Sequence, residues 1–207
     1  MRLSIDTSFR AIFLLLATIV SCYALGHYWI YLDTTDNFAA KYRSLNLLLV
    51  YSHFIGAGMA LLLGALQLFI KKGSRLHRRL GLGYCLAVLA GAIGAGYLSF
   101  FADGVPWTGL GFFTLDVIWL YVTFRALREA QARNIQSHRR WMIRSLALTA
   151  AAISLRLQLP LLMPLWGFEA SYLIVAWSSW LGNLAIAESY LYVTTRTKTH
   201  LTGNLSS

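Results

Sequence analysis

Three ionisable side chains stand deep inside otherwise apolar runs: His53, Asp116 and Arg156. A charge at that depth in a bilayer is costly, and it normally faces a bundle interior or a wet cavity with a partner at hand. Counted inward at about 1.5 Å per residue, all three lie on the order of 10–12 Å below the same surface. The shared depth makes Asp116 the simplest partner for Arg156, with His53 as a titratable neighbour. Such a cluster can hold a small polar or anionic ligand on the guanidinium, or relay protons. A structural clamp between helices satisfies the same two charges and stays open as the alternative.

Other polar groups fall at graded depths. Ser145, Thr149, Ala152 and Arg156 are separated by four, three and four residues, which places them on one small, polar stripe of a helix. Trp177, Trp180, Asn183 and Glu188 step down the next apolar run; Asn183 joins the candidate ligand cluster, and Glu188 lies where Arg144 can meet it. His77 and His138 each precede two arginines, so a solvated or headgroup-contacting face is their default reading. His53, near Gly56, Gly58 and Gly64, also reads as a core histidine bonded across a bundle, and His200 needs no function.

The elements that must position these groups follow from composition. The chain has 207 residues, 57% hydrophobic and 13% charged, with a mean hydropathy of +0.58. A typical soluble domain carries roughly 25% charged residues, so this is an integral membrane protein. The net charge of +10 does not point to nucleic acid, because the basic residues collect in short segments between apolar runs. Cys22 and Cys85 both lie inside apolar runs and offer neither a disulfide framework nor a zinc-site spacing; no metal site is expected.

Taken in order, the runs predict an all-α bundle of about six transmembrane helices over 11–32, 45–70, 80–101, 108–124, 141–163 and 170–194. The first run continues through Tyr28, Trp29 and Tyr31, which argues against a cleaved signal peptide or a lipoprotein-type box at Ile19 to Cys22. Residues 33–44 read as a nearly neutral polar loop. The segment 71–81 carries five Lys or Arg within nine residues, and Arg125, Arg128, Arg133, Arg139 and Arg140 follow the fourth run. Under the positive-inside rule these loops, with Arg75, Arg78, Arg144 and Glu188 as inner-face polar groups, are cytoplasmic, as are both termini. Gly81, Gly83, Gly91, Gly94 and Gly96 in the third run suit close helix approach in lipid. Pro160 and Pro164 are expected to stop or kink the fifth span, with a turn at Trp166, Gly167 and Glu169. The whole chain is one transmembrane domain.

Several motifs carry a family resemblance: His-x-x-Gly at His53 to Gly56, then Gly64 and Gln67, Arg-x-His-Arg at Arg75 to Arg78, His-Arg-Arg-Trp-Met-x-Arg-Ser at His138 to Ser145, Arg156, and Trp177, Trp180, Asn183 and Glu188. The combination resembles a bacterial family of membrane proteins catalogued as a domain of unknown function, DUF2306. The resemblance runs from about His53 to Glu188 and is most specific between His138 and Arg156. It implies a multi-pass helical protein of a bacterial inner, or plasma, membrane and supplies no activity, substrate or cofactor.

Four function classes remain. The first is binding or transport of a small polar or anionic ligand, or of protons, at His53, Asp116 and Arg156. The second is a membrane electron-transfer protein similar in outline to the cytochrome b561 group, with haem b held by His27 and His53 at one level and His77 and His138 at the other. No two histidines recur on one helix at the spacing that stacks two haems across a bilayer. The third is an enzyme acting on a lipid through His77 and His138, though no nucleophile, carboxylate pair or metal signature accompanies them. The fourth is a structural or assembly subunit of a membrane complex.

Overall fold

The computed structural model describes residues 7–31 and 37–203, and every regular element among them is helical. The order is α1 (Thr7–Tyr31), α2 (Asn37–Ser44), α3 (Leu47–Leu66), α4 (Arg75–Ser99), α5 (Pro106–Gln131), α6 (Ile135–Thr149) and α7 (Ala151–Gly203). Five stretches are long and apolar enough to cross a membrane: those in α1, α3, α4 and α5, and a last one from Ile135 to Arg196. Of the segment read as a polar loop, residues 37–44 form the helix α2, and residues 33–36 lie outside the described ones.

The helix boundaries follow from local chemistry. The Asn46 side chain accepts from the amides of Leu48 and Leu49 at the start of α3, Ser74 caps α4 through the His77 amide, and Asn134 caps α6 through Ser137. Pro106 opens α5, where its missing N–H needs no partner. The chain reverses at Gly73, Gly104 and Arg133, all with positive φ.

The last apolar stretch is 62 residues long, and straight it would reach on the order of 90 Å, about three bilayer cores. It folds in two at Gly167, where φ is 72° and ψ 175°. The two arms run antiparallel. Arg144 meets Glu188, Ser154 Oγ donates to Asn183 Oδ1 at 2.9 Å, and Ser178 Oγ donates to Gln158 Oε1 at 2.6 Å. Pro160 and Pro164 therefore do not end the helix; both lie inside it. A proline removes one backbone bond and crowds one carbonyl, whereas reversal needs a left-handed φ, which glycine alone adopts without cost.

Packing is inverted relative to a soluble protein. The buried core is built largely of small residues and a few rings, such as Ala60, Ala92, Ala151, Tyr84, Trp119 and Trp180, while Leu15, Leu48, Leu161 and Ile186 are exposed. Those outward side chains face hydrocarbon. Helices α3 and α4 approach until their backbones nearly touch: a Cβ on Gly56 would lie 2.3 Å from the Gly91 amide nitrogen, and one on Gly94 would lie 2.3 Å from the Leu49 carbonyl oxygen. Dispersion and backbone contact hold this seam where water cannot drive association. We predict that Gly94→Ala costs about 1–3 kcal/mol of stability, read as a lowered thermal midpoint in detergent. Gly182→Ala, with nothing within 4 Å of its Cβ, leaves the midpoint unchanged or slightly raised.

Candidate functional site

Arg156 projects from α7 near the end of the bundle where α3 begins and α4 ends. It is half-buried, donates to the Ala152 carbonyl at 3.0 Å within its own helix, and stands 5.9 Å from the centre of the Tyr23 ring of α1. Tyr42 of α2, Tyr172 of α7 and His53 of α3 are also within its electrostatic reach. No carboxylate among the described residues pairs with it. The His53 ring nitrogen Nδ1 lies 3.2 Å from the Gly91 carbonyl, which can only accept, so Nδ1 carries the proton and Nε2 is left as the acceptor. Tyr42, outside the spans, has its phenol pushed up to about 12, first by desolvation and then by the carboxylate of Asp103. It is a neutral donor at working pH. Lys41 closes this end by pairing with Asp103 across the α4–α5 turn.

Asp116 does not join this group. A Cβ on Gly96 would lie 3.2 Å from Asp116 Oδ2, whereas one on Gly94 would meet the His53 amide at 2.6 Å. Positions two apart on a helix point about 200° away from each other, so the α3 backbone at His53 and the Asp116 carboxyl lie on opposite sides of α4. The Asp116–Arg156 pair expected from depth is not made. Asp116 is 5% exposed, and its Oδ1 has no hydrogen-bond partner. Depth alone could not detect this, because it carries no information on rotation about each helix axis. Asn183 is engaged elsewhere: its Nδ2 donates to the Ala147 carbonyl at 3.1 Å while its Oδ1 accepts from Ser154, so it cross-links the folded last stretch.

Between the two ends lies a knot of hydroxyls. Tyr84 Oη is 2.7 Å from both Ser145 Oγ and Thr149 Oγ1, Trp119 Nε1 donates to Thr149 Oγ1 at 2.9 Å, and Thr123 Oγ1 lies 2.6 Å from Ser145 Oγ. All five residues are buried. The polar stripe of Ser145 and Thr149 does face inward, and the knot is what it meets. Tyr84, Trp119 and Thr123 gave no signal in the sequence, since a tyrosine or tryptophan in an apolar run reads first as belt or core.

The opposite end is basic. Trp141 stands between two guanidinium groups, Arg125 at 5.5 Å and Arg144 at 4.8 Å, with Tyr121 edge-on at 5.8 Å. Arg125 pairs with Glu129 at 3.3 Å, and Arg144 reaches both oxygens of Glu188 at 2.5 and 2.9 Å. The resulting chain from Glu129 to Glu188 ties α5, α6 and α7 together and accounts for Trp141 and Arg144 of the Arg-Arg-Trp-Met-x-Arg motif. Arg139 donates to Tyr190 Oη at 3.4 Å. His138 Nδ1 lies 2.8 Å from the Ala126 carbonyl, so it too is the protonated nitrogen. His77 sits within electrostatic reach of His138. Arg75 and Arg78 open α4 at exposed positions. The side chain of His27 lies outside the described residues, and among the described ones no three His, Cys, Asp or Glu gather as a metal site.

Comparison with known proteins gives one result. A family model described as Predicted membrane protein (DUF2306) matches residues 50–191. No curated protein and no solved structure matches the chain.

Because Tyr84 Oη serves two buried hydroxyls, Tyr84→Phe leaves Ser145 and Thr149 short of a partner. We predict a loss of about 1–3 kcal/mol, seen as a lower thermal midpoint with helical content retained by circular dichroism.

Proposed function

We propose that this chain, which belongs to the DUF2306 family of predicted membrane proteins, binds a small anion, such as a carboxylate, in a pocket beside Arg156. One observation carries the reading: a half-buried guanidinium inside a spanning stretch, ringed by Tyr23, Tyr42, Tyr172 and His53, with no counter-carboxylate among the described residues. A buried cation without a counter-charge is costly, and an anionic ligand removes that cost. Arg156 is the clamp, and His53 is the titratable group beside it. Asp116 takes no part in holding the anion and, across α4, would repel it when ionised.

The last stretch, folded at Gly167, supports a six-pass arrangement. The basic loops support a cytoplasmic assignment for the end opposite Arg156, which places the pocket toward the outer face of the plasma (inner) membrane. Transport of the anion is the natural extension of this reading.

The test is a panel of small carboxylates and inorganic phosphate read by thermal shift on the detergent-purified protein. A binding anion at a hundredfold excess over its Kd is expected to stabilise by about 2.7 kcal/mol. Arg156→Ala abolishes that response with insertion unchanged, and Arg156→Lys, which keeps the charge but loses the planar fork, weakens binding about tenfold, or 1.4 kcal/mol. If no anion in the panel shifts the wild type, and Arg156→Ala is simply less stable, the residue is a clamp and the proposal fails.

A further inference from the structure

The basic end carries an arrangement that the Arg156 pocket does not explain. Helices α4 and α6 both begin there, and neither has an acidic residue in its first turn. The α4 turn instead carries Arg75, His77 and Arg78, and the α6 turn carries His138 with Arg139 and Arg140 just after it. Positive side chains at the positive ends of two helix dipoles oppose each other unless an anion sits among them. Lys72, in the turn between α3 and α4, is within electrostatic reach of Arg10 of α1 and Arg139 of α6, and its ammonium is held below its usual range, by desolvation first and by those two charges next. Among the described residues, the acids at this end are engaged: Glu129 with Arg125 and Glu188 with Arg144.

A second observation points to what fills the space. Gln67, at the end of α3, is only 8% exposed. Its Nε2 donates to the His77 carbonyl at 2.9 Å, which fixes the amide orientation, and its Oε1 is left buried with no donor. His77 Nδ1 beside it is also buried without a partner. The end of α3 and the start of α4 thus hold a buried acceptor and a buried ring nitrogen without partners, with Lys72 beside them and Arg10 and Arg139 within its electrostatic reach. Three of these polar residues have an apolar, outward-facing neighbour: Phe9 beside Arg10, Phe69 near Gln67 and Leu76 beside His77 are 58%, 47% and 55% exposed.

We infer that this notch, bounded by the end of α3 and the starts of α4 and α6, binds the headgroup of an anionic phospholipid that carries a hydroxyl beyond its phosphate, as a phosphatidylglycerol does. The phosphodiester oxygens accept from Lys72, Arg139 and the His77 ring, as charge-assisted hydrogen bonds favour. The headgroup hydroxyl donates to Gln67 Oε1. The acyl chains lie along Phe9, Phe69 and Leu76, which a soluble phosphate could not use.

Native mass spectrometry of the full chain, titrated with phosphatidylglycerol, phosphatidylcholine and inorganic phosphate, tests this. Phosphatidylglycerol is expected to be retained at least tenfold better than phosphatidylcholine, and phosphate alone not at all. Lys72→Gln combined with Arg139→Gln removes the preference, whereas Gln67→Met keeps the preference over phosphatidylcholine and loses the advantage of phosphatidylglycerol over phosphatidylmethanol, an anionic lipid without a headgroup hydroxyl added to the same titration. Competition between lipids on the wild type needs no variant to fold. Equal retention of both lipids, binding of phosphate alone, or a Soret band showing His77 and His138 on a haem overturns the inference.

Discussion

The hydroxyl of Tyr84 is the interaction on which the bundle depends. Its ring lies against α3, where a Cβ on Gly64 would stand 3.2 Å from Tyr84 Cε2, and its oxygen joins Ser145 and Thr149 of α6, which in turn hold Trp119 and Thr123 of α5. Four helices are thereby fixed through one side chain. In hydrocarbon an unpaired hydroxyl or indole N–H has no water to turn to, so the relative positions of these helices are restricted to those that satisfy all five groups at once. Packing of small residues sets how close the helices come; the knot sets which faces meet.

Around that centre the two ends are built for different company. The end with α2 is nearly neutral overall and places one cation, Arg156, among aromatic hydroxyls. The other end gathers cations on α1, α4, α5 and α6 and orders two of them, Arg125 and Arg144, against Trp141 and two glutamates. The same residue type therefore does two jobs. Arg144 and Arg125 are paired and stacked, which makes them joints between helices, whereas Arg156 keeps donors available. Asp116 belongs to neither end: enclosed between α4 and α5 without a cation partner among the described residues, it is a carboxyl that Gly96 of α4 makes room for.

The sequence by itself determined the class, the spanning runs and the basic face, because hydrocarbon demands about twenty apolar residues per crossing and lysine and arginine collect on one side of it. It also determined which residues sit at membrane depth, and the spacing of Ser145 and Thr149 showed an inward polar stripe. Tertiary structure alone decided partners. A count of residues gives depth but not rotation, so it matched Asp116 to Arg156, while the 100° step per residue turned Gly94 toward α3 and Gly96 toward Asp116 on opposite sides of α4. The tyrosines around Arg156, the knot at Tyr84 and the half-satisfied Gln67 were invisible for the same reason: each is made by residues far apart in the chain whose meeting depends on how whole helices are turned.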